Sequence, residues 1–188
     1  MRVVAGTARG RRLTAPPGTA TRPTTDRVRE AMFNALTSLG AVDGATTLDA
    51  FAGSGALGIE ALSRGAARVT FVERDRVARA VVEANLASTG MGDRAEVVAG
   101  DTIAHLVRTV ATVDLALLDP PRDDVDWPAL LAAVAPRMSP DAVAVIESDR
   151  PVVDADGSVA DGWSVLREKR YGGTVVQMLR LSTPRDEA

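Results

Sequence analysis

The sequence predicts an α/β fold with a mostly parallel, doubly wound β-sheet that ends in an antiparallel hairpin. Apolar strand patterns alternate with helical patterns of about ten residues or more, which is typical of parallel strands joined by crossover helices. A glycine-rich turn follows the first strand, and the last two strands are separated only by residues 171–173, a hairpin spacing. The expected strands are 46–51, 68–73, 94–99, 113–119, 142–147, 163–170 and 174–181, and the expected later helices are 75–88, 102–110 and 127–136.

The composition indicates one soluble globular domain. The chain has 188 residues, of which 46% are hydrophobic and 25% charged, enough to bury roughly 70% of its unfolded surface. It contains no cysteine, which excludes thiolate nucleophiles, cysteine zinc sites and iron–sulfur clusters. The single histidine, His105, defines no metal site, so we expect none. No apolar run approaches the ~18 residues that span a bilayer. We therefore expect a cytoplasmic protein without membrane contact, and a monomer.

The N-terminal segment is strongly basic although the whole chain is acidic. Residues 1–29 hold seven arginines and one acid, whereas the other 159 residues hold 15 basic and 24 acidic side chains, and the net charge is −3. A basic arm on an acidic body is typical of a localised anion-binding surface. The alternative is a solvated arm with incidental charges. The candidate binding residues are Arg2, Arg9, Arg11, Arg12, Arg22 and Arg27, with Arg29 also counted in the basic segment.

The same segment predicts a hairpin, a loop and a helix. Strand patterns at 2–5 and 11–14 flank a short glycine-bounded turn. Prolines and glycine then predict a mobile loop over 15–23. We accordingly divide the chain into a basic extension, 1–23, and a globular domain, 24–188. A helix should begin after Thr24 or Thr25 and stop near Gly40, with an apolar stripe facing the sheet formed by Val28, Ala31, Met32, Ala35, Leu36 and Leu39.

The turn after the first strand predicts a nucleotide site. Residues 53–58 match the dinucleotide fingerprint G-x-G-x-x-G, so a nicotinamide or flavin ligand has to be considered. However, Asp49 ends the strand just before the turn, and a carboxylate there would repel a pyrophosphate. It would suit a ligand with an amino group or a sulfonium, which is S-adenosylmethionine. A turn that only links strand to helix is the bland alternative.

Acids also stand at the next two strand ends. Glu73 ends the second strand, where a carboxylate can accept hydrogen bonds from both ribose hydroxyls, and Asp101 follows the third, where it could accept from the adenine amino group. Ligands bind beyond the carboxyl ends of strands in open α/β sheets. Each acid alone could also be a helix cap or a surface charge. The predicted cofactor-binding residues are Asp49, Gly53, Ser54, Gly55, Glu73, Asp101 and Thr102.

The fourth strand ends in Asp119, Pro120 and Pro121. The two prolines fix the backbone and remove two N–H donors, leaving the Asp119 carboxylate and nearby carbonyls as acceptors. Such a pair can hold an exocyclic amine while its nitrogen attacks an electrophilic methyl group. No strong base is needed beforehand, because the alkylated nitrogen becomes acidic. The alternative is a strand stopped by prolines with Asp119 as a cap.

Several stretches together resemble one family. These are Met-Arg-Val-Val-Ala-Gly at 1–6, Thr-Arg-Pro-Thr-Thr-Asp-Arg-Val-Arg-Glu at 21–30, the segment 49–66, Leu-Asp-Pro-Pro at 118–121 and Arg-Tyr-Gly at 170–172. They are similar to the RsmD family of bacterial 16S ribosomal RNA guanine-N2 methyltransferases, over essentially the whole chain. The resemblance implies a Rossmann-like class I methyltransferase fold, S-adenosylmethionine as donor and N2 of one guanine in an assembling small subunit as acceptor. With RNA as the acceptor, we expect the basic arm to bind RNA phosphates.

One residue departs from the family pattern. The motif normally ends in an aromatic residue that stacks on the target base, whereas this chain has Arg122. A guanidinium plane can also stack on a base and adds charge near the RNA. Two alternatives are that Trp127 supplies the ring, or that base capture is impaired. The catalytic residues predicted are Asp119, Pro120, Pro121 and Arg122.

Other functions stay open on the sequence. An adenine-N6 DNA methyltransferase would use a similar proline motif. A non-catalytic, cofactor-binding RNA chaperone would explain Arg122, and a nucleotide-dependent dehydrogenase would explain the glycine fingerprint.

Overall fold

The computed structural model describes residues 1–17, 26–121, 125–154 and 162–182. Within them the strands are β1 (Thr46–Asp49), β2 (Arg68–Glu73), β3 (Ala95–Ala99), β4 (Val113–Leu118), β5 (Met138–Ser148), β6 (Trp163–Tyr171) and β7 (Thr174–Leu181). The helices are α1 (Asp26–Ser38), α2 (Ala56–Ser63), α3 (Arg76–Thr89), α4 (Thr102–Arg108) and α5 (Trp127–Val134), with 3-10 turns at Gly92–Arg94 and Ala135–Arg137. None of the helices described in these ranges is long and apolar enough to cross a bilayer.

The strands form one sheet in the order β3-β2-β1-β4-β5-β7-β6. The first five pair in parallel, and β7 runs antiparallel to both of its neighbours. The predicted mostly parallel sheet with a closing antiparallel hairpin is confirmed. The chain order reverses direction between β1 and β4, and the carboxyl ends of these two strands meet at this switch point, which is where α/β sheets bind ligands.

Element bounds differ from the predictions by a few residues. The β5 strand is longer than expected, beginning at Met138, and α4 ends at Arg108. The helix α1 ends before Gly40, as predicted: this glycine has φ 68°, and the next amide, of Ala41, donates to the Leu36 carbonyl. Such a left-handed residue after a helix is a common C-terminal cap. The predicted N-caps of α1, Thr24 and Thr25, and the expected boundary at 23/24 lie outside the described residues.

The sheet buries an apolar core on each face. One core contains side chains of α1, α2 and α3, and we call this side of the sheet the α1 face; the other contains α4 and α5 side chains and is called the α5 face. Strand β4 shows the alternation, since Leu115 and Leu117 belong to the α1 face while Ala116 and Leu118 belong to the α5 face. The parallel strands are thus covered on both sides, as their continuous apolar runs predict.

The N-terminal residues form the expected hairpin, and it is built into the α1-face core. Arg2 and Arg12 form an antiparallel bridge, and the Val3 amide donates to the Arg11 carbonyl at 2.9 Å. The hairpin's apolar side chains Val3, Ala8 and Leu13 are at most 5% exposed. The basic extension therefore has a fixed position on the globular body.

Candidate active site and nucleic-acid surface

Asp49 is a buried carboxyl group at the end of β1. Asp49 is only 2% exposed, and its Oδ2 accepts a hydrogen bond of 2.9 Å from the Gly58 amide in α2. Burial raises the pKa of Asp49 from 3.8 to about 7; the Gly58 hydrogen bond opposes this, and the negative charge of Glu73 adds to it. A positively charged group placed beside Asp49 would stabilise its ionised form. This carboxyl is therefore suited to a cationic ligand.

The glycines between β1 and α2 serve two separate purposes. Gly53 and Gly55 have φ of 53° and 77°, a left-handed conformation that favours glycine. Gly58 has an ordinary helical position, but a Cβ there would lie 2.3 Å from Cε1 of Phe71. The first two glycines therefore shape the turn, and the third lets α2 approach β2 closely. Both roles match those of a nucleotide-binding βα turn.

Glu73 at the end of β2 holds this turn in place. Its Oε2 accepts from the Gly53 amide at 2.9 Å, and its Oε1 accepts from the Asp75 amide at 2.8 Å. The carboxyl ends of β1 and β2 are therefore connected through one side chain. Each carboxylate oxygen can accept more than one hydrogen bond, so a ribose hydroxyl could be accommodated as well. The predicted ribose contact remains a prediction.

Asp101 and Thr102 have structural partners already. Asp101 is exposed and caps α4, accepting from the Ala104 amide at 3.0 Å, which is the alternative that its position after a strand suggested. The buried Thr102 hydroxyl donates to the Ala50 carbonyl just beyond β1. This bond fixes the start of α4 against the switch point. A contact of either residue with adenine remains a prediction.

Asp119 lies beside the end of β1. Leu117 pairs with Asp49 in the sheet, and the Ala50 amide donates to the Leu117 carbonyl at 3.0 Å. Asp119 follows two residues later; it is half-buried, Pro120 is buried and Pro121 is exposed. The sheet thus brings the Asp-Pro-Pro segment next to the buried carboxyl of β1.

Of the two side chains that could stack on the target base, Arg122 lies outside the described residues. Trp127 begins α5 and packs, partly exposed, against the α5-face core.

Most of the predicted basic residues are on the surface, and one basic residue is not. Arg2, Arg9, Arg11, Arg12 and Arg27 are exposed, whereas Arg22 lies outside the described residues. Counting Arg29 toward an anion-binding surface was wrong, because it is 0% exposed. It pairs with Asp26 at 2.7 Å, lies 3.6 Å from Glu60 and donates to the Arg2 carbonyl. Its charge is used within the fold.

Sequence reasoning missed Glu60, which fastens the hairpin to α2. Its two carboxylate oxygens accept from the Val4 amide at 2.7 Å and the Ala5 amide at 3.0 Å, and Oε1 pairs with Arg64 at 2.7 Å. Glu60 is 0% exposed. The available signal was an acid inside the otherwise apolar run 56–62, since a buried charge requires a partner.

Asn85 of α3 connects the hairpin to the glycine turn. Its side-chain Oδ1 accepts from the Thr14 backbone amide at 2.9 Å, and its Nδ2 donates to the backbone carbonyls of Thr14 at 2.9 Å and of Ser54 at 2.8 Å. Asn85 is 3% exposed. One buried amide therefore joins the basic extension to the predicted cofactor turn. No local feature of the sequence indicates this role.

The strand order, the glycine turn and the acids at the ends of β1 and β2 define a Rossmann-like methyltransferase fold. Comparisons with known proteins agree. Residues 1–180 match the family described as Conserved hypothetical protein 95. The chain belongs to this family, the RsmD family that its motifs resemble.

Individual relatives align over nearly the whole chain. Ribosomal RNA small subunit methyltransferase D of Escherichia coli strain K12 is 37% identical over 174 residues, which cover 92% of this chain and 85% of the relative. The solved structure of yhhF from Escherichia coli has a TM-score of 0.83 at 34% identity, covering 97% of this chain and 98% of that one. SMU.776, solved in complex with SAH, shares the fold with a TM-score of 0.68 at 16% identity, over 83% of this chain and 49% of its own.

Proposed function

We propose that this protein transfers a methyl group from S-adenosylmethionine to the exocyclic N2 of a guanine in 16S ribosomal RNA of an assembling small subunit. The observation that carries the proposal is the adjacency of the buried Asp49 carboxyl and its glycine turn to the Asp119-Pro-Pro segment. The 37% identity to a ribosomal RNA small subunit methyltransferase D supports the substrate class.

The residues around β1 fit S-adenosylmethionine. The buried Asp49 has a raised pKa and would face the cationic part of the cofactor. The turn of Gly53 and Gly55 offers backbone without Cβ atoms, while Glu73 would bind the ribose and Asp101 the adenine. The cofactor supplies a methyl group made electrophilic by its sulfonium.

The chain's own part in the reaction is positioning. A guanine turned out of its helix would donate its N2 hydrogens to the Asp119 carboxylate and a proline carbonyl. Accepting these hydrogen bonds concentrates the nitrogen lone pair, and Asp119 can take the proton that the alkylated nitrogen releases. Alignment of this kind can supply roughly 7 to 11 kcal/mol of the barrier. Arg122 would stack on the base in place of the usual aromatic ring.

The decisive experiment is transfer of labelled methyl from S-adenosylmethionine to partly assembled small subunits from cells that lack the endogenous enzyme, followed by nucleoside analysis. We expect N2-methylguanosine. Label in N6-methyladenine of added DNA would instead support the DNA methyltransferase. Cofactor binding and RNA binding without transfer to either would support the non-catalytic alternative.

Variants at the Asp-Pro-Pro segment test the chemistry. Asp119→Asn should slow transfer strongly while leaving cofactor affinity intact, because it keeps an acceptor oxygen but loses the charge. The matched control is Asp93→Asn, at an exposed position in a 3-10 turn. Near-normal turnover of Asp119→Asn would mean that ionisation is unimportant there. Arg122→Tyr should preserve or raise activity if Arg122 substitutes for a stacking ring, and a large loss would contradict that role.

A further inference from the structure

A second basic surface lies on β6, away from the N-terminal hairpin and from the candidate active site at the ends of β1, β2 and β4. Arg167, Lys169 and Tyr171 form one wall of an open groove, and Asn34 and Ser38 of α1 line the other. The groove has a volume of about 210 Å³, below the roughly 300 Å³ at which small-molecule sites begin. Its size and openness are better suited to part of a polymer than to a compact ligand.

The sheet register places this groove near the active site. Leu118 pairs with Ile146, so the residues that follow them, Asp119 and Glu147, lie side by side across β4 and β5. Glu147 pairs with Val176 of β7, and Val176 pairs with Lys169 of β6. Lys169 therefore lies level with Asp119 across the sheet and three strand spacings from it, about 14 Å at ~4.8 Å per strand.

The groove opens on the side of the sheet that carries the basic hairpin. Its floor includes Val176 and Met178, which belong to the α1-face core together with Leu117 and with the hairpin residues Val3 and Leu13. The groove, the hairpin and Leu117, two residues before Asp119, thus lie on one face of the sheet.

Among the described residues, the cations of the groove have no acidic partner. Arg167 and Lys169 are both exposed, and in the part of the chain that the structure describes neither has a carboxylate within 4.0 Å. The Lys169 ammonium lies 5.4 Å from the centroid of the Tyr171 ring, a cation–π distance that holds it at the groove. Exposed cations on an otherwise acidic body favour a polyanionic partner.

We propose that Arg167 and Lys169 bind backbone phosphates of the substrate RNA close to the nucleotide that enters the active site. The inference rests on the proposed function for the identity of the RNA. It assigns the β6 groove a role in substrate positioning that is separate from the N-terminal hairpin.

A simpler explanation for charges on β6 is protection of the sheet edge. The β6 strand is an edge strand, and lysine on such strands prevents edge-to-edge pairing. Arg170 separates the two explanations, because it is exposed on the same strand but points away from the groove. Glu168, two residues earlier and so on the same side of β6 as Arg170, accepts a hydrogen bond from the Gln177 side chain. Gln177 in turn accepts from the amides of Val152 and Val153, which belong to the α5 face. Edge protection would use Arg170 as well as Lys169.

The experiment compares the double variant Arg167→Gln/Lys169→Gln with Arg170→Gln in binding to a 16S ribosomal RNA transcript between about 50 and 200 mM salt. Removing two phosphate contacts should make the negative slope of log affinity against log salt shallower by about 1.4 to 1.8, and should raise KM for RNA. The affinity for SAH and the unfolding midpoint should match the wild type. Lys169→Arg should keep the slope, because it keeps the charge.

An unchanged slope in the double variant would overturn the proposal. So would a slope that becomes shallower by about 0.7 to 0.9 in Arg170→Gln, which is the change expected for one phosphate contact. The proposed function fails separately, if the wild type transfers no methyl to RNA. In that event the salt slope of the same variants still decides whether the groove contacts RNA.

Discussion

Replacing Glu60 by alanine should loosen the basic hairpin and destabilise the whole chain. The two oxygens of Glu60 bind the Val4 and Ala5 amides at 2.7 and 3.0 Å, and the side chain lies between the buried Arg29 and the guanidinium of Arg64. Alanine removes every one of these contacts. It leaves two amides without an acceptor and two cations without their shared carboxylate.

The size of the effect follows from these contacts. A buried donor left unsatisfied costs about 1–3 kcal/mol, and removing one partner of a buried ion pair costs about 3–5 kcal/mol. The contributions overlap, and Arg29 keeps Asp26 at 2.7 Å. We therefore expect Glu60→Ala to lower the free energy of unfolding by about 3–5 kcal/mol. Glu60→Gln keeps one acceptor oxygen and should lose less.

Urea unfolding and amide hydrogen exchange measure this prediction. Exchange at Val4 and Ala5 should accelerate more than exchange in β1 and β4. The matched control is Glu83→Ala on the exposed side of α3, which should change stability by no more than about 0.5 kcal/mol. A loss below about 1 kcal/mol, with Val4 and Ala5 still protected, would refute the view that Glu60 fastens the hairpin.

Three further variants test the site. Burial raises the pKa of Asp49 from 3.8 to about 7, so the folded state is stabilised by the protonated carboxyl below pH 3.8 and loses about 4 kcal/mol of this stabilisation as the pH rises through 7. Urea unfolding of Asp49→Asn should show no such loss of stability over this pH range. If the loss persists in the variant, Asp49 is not its source. Gly58→Ala should cost about 1–3 kcal/mol by crowding Phe71, seen by calorimetry, whereas Gly92→Ala, with nothing within 4 Å, should be neutral; equal effects would contradict the packing role. Asn85→Ala should accelerate hydrogen exchange in the hairpin and weaken SAH binding in titration calorimetry, and unchanged values of both would contradict a link between hairpin and glycine turn.

The sequence alone determined the architecture. Strand and helix periods are local properties of the chain, so the five parallel strands, the closing hairpin and the N-terminal hairpin could be placed within a few residues. The positions of Asp49, Glu73 and the glycines at the ends of β1 and β2 could also be predicted from the sequence. Parallel strands bring their carboxyl ends to one edge, which makes an acid that follows a strand a predictable part of that edge.

Only the tertiary structure decided which charges stay on the surface and which are used inside. Arg29 looks like any other arginine of the basic segment, yet it is buried beside Glu60, 31 positions away. Asn85 bonds Thr14 across 71 positions and Ser54 across 31. Such partners depend on how helices stack on the sheet, and local periodicity carries no record of it. The same is true of the β6 groove, because its closeness to Asp119 comes from the order and register of strands far apart in the chain.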